Sequence, residues 1–452
     1  MKTLIKNGYV IDPANRVSAK LNLLLENGKV AAVTDQEVAA DRIIDAAGRI
    51  VTPGFVDIHM HEDPVEADGK IYCEEQAIFN CMLRMGVTTA LAGNCGENCY
   101  HPADYLDIVD RDGVAVNVGM MAGHQWFREK AGATDKYAPT TDAQNQQMAQ
   151  EMEAALDRGC FGISYGVEYV PGIAFEELLA TAKACQKDGK LISAHMRSDA
   201  GEVLDAASEL LEVGRITDVP VQISHIGSMA GYGQMERFLQ IVDNYKLGGL
   251  DVSCDCYPYF AFSTHLGSSV YDEGWVERYH CDYDVLELCE GKYKGQRCTK
   301  EIFEEERVNN PNCMTVCYVI REEDVCMALT HPNVMLASDG IMNHGQGPPR
   351  AAGSFPGFLA RFVRTGKVGL YDAINRMTAM PAQKLGLANK GRLNVGADAD
   401  VVIFDMETVC DGATFTDPTL PPKGIEYVLI GGEIAAKDGV IVRGDLGRSI
   451  RK

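Results

Sequence analysis

The stretch Phe55-Val56-Asp57-Ile58-His59-Met60-His61 decides how this chain is read. It is an apolar, largely β-branched run that ends in two histidines one residue apart. Residues i and i+2 of a strand point to the same face, so His59 and His61 project together from the end of a buried strand. Two imidazoles so placed suit a shared metal ion. Two polar residues at the edge of a sheet have the same local pattern, and the rest of the chain decides between the two.

Runs of the same kind recur at 88–95, 116–124, 159–166, 191–197, 219–227, 250–259 and 334–340, which makes eight candidate strands with 55–61. Helix-patterned stretches at 75–85, 142–158, 175–188, 202–213 and 235–245 lie between most of them. Eightfold alternation of strand and helix predicts an α/β fold whose parallel sheet closes as a (β/α)8 TIM barrel. An open doubly wound sheet calls for a glycine-rich phosphate loop after its first strand, whereas Glu62-Asp63-Pro64 follows here. Residues 1–52 and 389–452 read instead as short strands with turn signals such as Asn7-Gly8, Asn27-Gly28 and Gly431-Gly432. The expectation is a barrel over 53–388 and a small β-sandwich-like subdomain built from both chain termini. Residues 264–324 break the rhythm between the last two strands, and a lid-like insertion at the catalytic face is expected there.

Bulk properties narrow the function classes. The chain has 452 residues, 46% hydrophobic and 23% charged, the balance of a globular protein. A net charge of −22 argues against nucleic acid and anionic membranes as partners, since both need a basic surface. No apolar stretch is long enough for a bilayer, and the first residues lack the apolar core of a signal peptide. The expected location is cytoplasmic and the expected partner a small-molecule substrate, with assembly as a homo-oligomer left open. The 15 cysteines form no paired framework and read as mostly buried thiols. Cys254-Asp255-Cys256 lacks the spacing of a redox pair.

Barrel enzymes carry their chemistry at the C-terminal ends of the strands. Those ends hold His59 and His61, Cys95, His124, His195 with Arg197, His225, Tyr257 with Tyr259, and Asp339; five of the ten histidines fall there. His59, His61, His195, His225, Cys95 and Asp339 are enough ligands for two zinc ions sharing an anionic bridge. Cys95 as thiolate can be that bridge, its flanking Gly93 and Gly96 allowing close backbone approach. Glu168, just after the fourth strand, is the rival bridge, or a contact to a cationic part of the substrate. Asp339 suits a general base beside the metal, or the cap of a following helix. His124 reads as a contact to a substrate oxygen or as a support for its loop with Arg128.

These residues together resemble the amidohydrolase superfamily: His-x-His on the first strand, histidines on the fifth and sixth, aspartate on the eighth. The entry Val51-Thr52-Pro53-Gly54-Phe55-Val56-Asp57 and the exit Lys390-Gly391-Arg392-Leu393 with Gly396-Ala397-Asp398-Ala399-Asp400 resemble it too. Within it, Gly93-Asn94-Cys95-Gly96 is similar to the bridging-cysteine motif of the N-acyl-D-amino-acid deacylases (the D-aminoacylase family). Tyr257-Pro258-Tyr259 with Ser263 and Ser338-Asp339-Gly340 with Arg350 are further matches, and the fourth strand has no lysine to replace Cys95.

The resemblance implies a zinc-dependent hydrolase of linear amides. It implies a tight metal on Cys95, His195 and His225, and a weaker second site on His59, His61 and Asp339. Metal-bound hydroxide would attack the acyl carbonyl, Asp339 would shuttle the proton, and Tyr257 and Ser263 would hold the substrate's carboxylate. In one respect the chain departs from the group: Gly227 stands where a carboxylate-pairing lysine is usual, leaving Arg350 and Arg197 as the candidate cations. The alternatives are a cyclic amide hydrolase of the hydantoinase or dihydroorotase kind, against which Cys95 speaks, and a non-catalytic binding protein on the same scaffold.

Overall fold

Eight parallel strands line the barrel: Phe55–Asp57, Val87–Ala92, Asn117–Met120 continued by Ala122–Gly123, Gly162–Gly166, Leu191–His195, Val221–Ile223, Val252–Cys256 and Val334–Leu336. The computed structural model describes residues 1–187 and 189–452. Neighbouring strands pair in parallel, from Phe55 opposite Val87 round to Cys256 opposite Leu336. The ring closes just beyond the strands, where Met60 bridges Gly340 in parallel. There the His61 N–H donates to Gly340 O at 2.8 Å and the Asp339 N–H to His59 O at 2.9 Å. Val87–Ala92 and Leu191–His195 are buried at every position, as strands covered on both faces must be.

The observed strands begin within three residues of the expected starts; the fourth ends at Gly166 as expected and the third one residue short, at Gly123, but the other six stop two to four residues short of the expected ends. The reason is local. Past the strand ends the backbone leaves the extended region: Cys95, His225 and Asp339 have φ of 54°, 33° and 47°. These are left-handed conformations that non-glycine residues seldom adopt. Cys95, His225 and Asp339 therefore sit on turns seated on the barrel rim, whereas His195 is the last residue of its strand.

Helices cover the outside. Asp142–Asp157 shows how its sequence sets one: Thr141 Oγ1 accepts the Gln144 N–H while the Gln144 side chain accepts the Thr141 N–H, a reciprocal cap. Met148, Met152, Ala155 and Leu156 then form its buried stripe. The helix expected over 175–188 is an α-helix at Phe175–Ala182 followed by a 3-10 turn at Lys183–Gln186; Asp188, its expected end, lies outside the described residues. Pro102–Asp112 is a helix that the sequence pattern did not disclose. Among the described residues no helix is long and apolar enough to cross a membrane.

The two chain ends share one nine-stranded sheet. Ile50–Pro53 joins them, running antiparallel to Val401–Phe404 with Val51 opposite Ile403. Alternation along Val401–Phe404 divides its burial: Val401 and Ile403 pack with Leu23, Val51 and Leu429, whereas Val402 and Phe404 pack into the barrel's core. The insertion contains its own antiparallel sheet of Phe262–His265, Met314–Cys317 and Leu286–Leu288, with the helices Trp275–Tyr279 and Lys300–Asn309 beside it.

Candidate metal centre

The turn that carries Cys95 is built by close packing against the next strands. A Cβ on Gly96 would stand 2.7 Å from the Gly166 nitrogen, and φ is +80° at Gly96 and +75° at Gly93. The Gly96 N–H donates to Ser164 Oγ at 3.1 Å, and that hydroxyl donates to Gly93 O at 2.5 Å. Asn94 is held in the same way, its Oδ1 accepting from Ser193 Oγ at 3.1 Å. Ser164, on the fourth strand, thus seats the cysteine turn.

Two groups of ligand atoms converge above this turn. His59, His61, Cys95 and Asp339 each offer one atom within 4.8 Å of the others, and so do Cys95, His195 and His225. Cys95 belongs to both. Its Sγ lies 3.3 Å from His59 Nε2 and 3.4 Å from His225 Nε2. Asp339 Oδ1 is 3.3 Å from His59 Nε2 and 3.4 Å from His61 Nε2. His195 turns Nδ1 inward, 3.1 Å from His225 Nε2.

The far-side nitrogen is hydrogen-bonded in three of the four rings. His59 Nδ1 faces Asp255 Oδ2 at 3.4 Å, His195 Nε2 faces Glu168 Oε2 at 2.8 Å, and His225 Nδ1 faces Ser228 Oγ at 3.0 Å. Oxygen partners at those nitrogens direct the remaining lone pairs to the centre, the arrangement of metal-ligating histidines. Charge agrees with geometry. Burial would raise the Cys95 thiol, but His59 and His225, with hydrogen bonds from His195 and His225, hold it well below its ordinary value. Burial alone pushes Cys81, Cys160 and Cys185 the other way, to about 12. Burial also opposes the Asp339 charge, yet Arg350 and His225 hold that carboxyl well below the usual range. Buried imidazoles around a thiolate and a carboxylate are a donor set that fits one or two zinc ions.

Arg350 reaches Asp339 twice, Nη2 to Oδ2 at 2.8 Å and Nε to the main-chain oxygen at 2.6 Å. Its guanidinium also lies 4.9 Å from the centre of the Tyr257 ring. Tyr257 OH and Ser263 Oγ are buried with no hydrogen-bond partner. Both residues line a narrow recess together with His195, His225, Asp339 and Arg350. A wider cleft of about 250 Å³ leads outward past His61, Glu97 and Tyr169. It opens into one of about 380 Å³ lined by Glu62, Trp126, His265 and Met314.

Two expected site residues stand elsewhere. His124 is fully buried with its Nε2 3.1 Å from Glu177 Oε1, and Arg128 Nε shares that oxygen; it supports its loop and lines none of these cavities. Arg197 is taken by Glu209, at 3.0 and 2.8 Å from its Nε, and by Ile173 O at 2.8 Å. Glu168 stands on the outer nitrogen of His195, outside both ligand groups, and lines the narrow recess beside it. Sequence reasoning missed Asp255, which accepts the His225 N–H at 2.7 Å and a Gln222 Nε2 hydrogen at 2.8 Å behind His59. Its signal was the strand's alternation, which puts Asp255 on the same face as Tyr257.

A strand-end histidine and cysteine cluster with an adjoining aspartate, on a (β/α)8 barrel with a β subdomain made from both termini, has the donor set and placement of a metal-dependent hydrolase. Known proteins agree. The chain matches the amidohydrolase family over residues 50–234 and again over 324–436. It is 32% identical to the N-acyl-D-glutamate deacylase of Alcaligenes xylosoxydans xylosoxydans, across 95% of this chain and 92% of that one. It is 30% identical to the D-aminoacylase of the same organism, across 95% and 93%. The crystal structure of the Bordetella bronchiseptica N-acyl-D-glutamate deacylase, complexed with zinc and a phosphonate mimic of the tetrahedral intermediate, superposes with a TM-score of 0.87. That match covers 100% of this chain and 99% of that one at 28% identity. The chain belongs to the amidohydrolase family, in the branch of the N-acyl-D-amino-acid deacylases.

Proposed function

We propose that this protein hydrolyses the amide of an N-acyl-D-amino acid or a close relative, releasing a carboxylate and the free amine. The observation that carries this reading is Cys95, shared by two ligand groups beside an Asp339 carboxylate. In this reading Cys95, His195 and His225 hold the tighter zinc, and His59, His61 and Asp339 complete a second position. When bound, zinc supplies Lewis acidity toward the scissile carbonyl and the attacking water.

The chain's own residues do the rest. Arg350 holds Oδ2 of Asp339, which leaves Oδ1 to take the proton of the attacking water and return it to the departing nitrogen. Tyr257 OH and Ser263 Oγ, buried and without partners, are the donors for the substrate's carboxylate, and Arg350 is the cation beside them. Arg197 is committed to Glu209 and supplies none of this. Gly227 leaves no lysine in the recess, so recognition of the carboxylate rests on two neutral donors and a shared arginine. The outer cleft receives the acyl group.

The reading is tested by amine release from a panel of N-acyl-D- and N-acyl-L-amino acids, with zinc measured in the same preparation. Hydrolysis of the D-series by zinc-containing protein is the expected result. Absence of zinc together with absence of release across the panel would overturn it, and hydrolysis of cyclic amides alone would move the function to the hydantoinase kind.

A further inference from the structure

Arg278, a residue of the insertion, touches the side chain that supports a candidate metal ligand. It lies in the helix Trp275–Tyr279. Its Nη1 donates to Glu168 Oε1 at 3.0 Å, while the other oxygen of the same carboxylate meets His195 Nε2 at 2.8 Å. Glu168 is therefore a two-sided clamp, with the insertion on one oxygen and His195 on the other. A second link runs beside it: Ser269 Oγ donates to the main-chain oxygen of Glu168 at 2.6 Å. The guanidinium is itself fixed, with Nε 3.3 Å from Asp199 Oδ1 and Nη2 2.5 Å from Val270 O. The Tyr279 hydroxyl donates to the same Asp199. Glu168 and Asp199 are 5% and 3% exposed, so the clamp works in a desolvated setting where a misplaced charge has no water to turn to.

We infer that Arg278 is a positioning residue: through Glu168 it sets the orientation of His195, so that docking of the insertion and metal binding by Cys95, His195 and His225 favour one another. This rests on the reading of those three residues as the tighter metal site. A histidine held by an oriented carboxylate binds metal more tightly than a free ring, and loss of such an outer partner typically lowers affinity about 10- to 100-fold. Coupling of this kind is reciprocal, so bound metal must hold the insertion down by the same factor by which the docked insertion tightens the metal.

The test uses metal-free protein prepared with chelator and then titrated with zinc, and with Co²⁺ for its ligand-field and thiolate charge-transfer bands. Arg278→Gln is expected to weaken zinc binding about 10-fold and to alter the Co²⁺ spectrum, with Arg278→Lys in between. In the wild-type protein, zinc is expected to slow amide hydrogen exchange across residues 270–280. That arm needs no variant and stands even if Arg278→Gln fails to fold. Unchanged exchange on metal loading overturns the inference, and so does an Arg278→Gln protein with wild-type affinity and spectrum. Wild-type protein that takes up no zinc at all would instead overturn the metal-site reading beneath it.

Discussion

Asp255 stands directly behind His59: its Oδ2 lies 3.4 Å from His59 Nδ1, while its Oδ1 accepts the main-chain N–H of His225 at 2.7 Å. One buried carboxylate thus orients a ring from each ligand group. Asp255→Asn keeps the shape and loses the charge, and metal affinity is expected to fall about 10- to 100-fold. Chelator competition measures it, and an unchanged affinity would show that the two rings are oriented by packing alone.

Cys95 is the only residue common to the two ligand groups of the described residues. Cys95→Ala is expected to lower metal content at both positions, read by elemental analysis of protein purified without chelator. Full metal retention would show that neither position depends on the thiolate.

Asp339→Asn removes the proposed proton acceptor while leaving Cys95, His195 and His225 in place. The expected result is a kcat lower by about 10²–10⁴-fold with the tighter metal retained. Steady-state kinetics and metal analysis on one preparation separate this from a variant that merely loses its metal.

Acidity of the histidines sets the pH behaviour of the metal-free protein. Burial opposes protonation of His61, but Asp339 and Cys95 raise it to about 10; burial likewise opposes that of His195, but Cys95 and Glu168 raise it to about 9. Both folded-state values exceed the ordinary 6.5. Their stabilising contribution is therefore complete below 6.5 and is lost as pH rises through 9 to 10. The Tm of chelator-treated protein is expected to fall over that interval. Zinc must displace those protons near neutrality, so calorimetric binding heats are expected to vary with the ionisation enthalpy of the buffer. Heats independent of buffer would contradict the assignment.

A Cβ on Gly227 would approach Cys256 Sγ to 2.8 Å. Both residues are buried, so Gly227→Ala is expected to destabilise the fold by about 1–3 kcal/mol through overpacking. Cys256→Ala in the same chain should return part of that loss. Denaturant unfolding of the four proteins in the cycle measures the coupling, and simple additivity would show that the short helix Ile226–Ala230, which carries Gly227, shifts instead.

Much of the barrel was legible because strand starts follow from local composition: apolar, β-branched runs such as 88–95 and 191–197 have few other places to go in a chain of this kind. The strand ends were not legible, because the left-handed turns at Cys95, His225 and Asp339 are imposed by packing between strands. The ligand residues were visible as chemistry at strand ends, and their convergence followed from the barrel. Supports and substrate contacts were harder. His124 and Arg197 share the strand-end position of the candidate ligands, and only the acids facing them across space, Glu177 and Glu209, reveal that they are occupied. Asp255 and Arg278 act through contacts 196 residues away in one case and 110 in the other, a separation that no local pattern discloses.

The left-handed backbone at Cys95, His225 and Asp339 has a bearing on how such a chain can change over time. Each of the three costs about 1–2 kcal/mol relative to glycine in the same conformation. Foldability and ligation therefore pull in opposite directions at the same three positions. A descendant released from metal work would gain stability by drifting to glycine or asparagine there, without disturbing a single barrel strand. Loss of catalysis in this lineage would then leave a recognisable trace: a firmer fold, with glycines standing where the ligands had been.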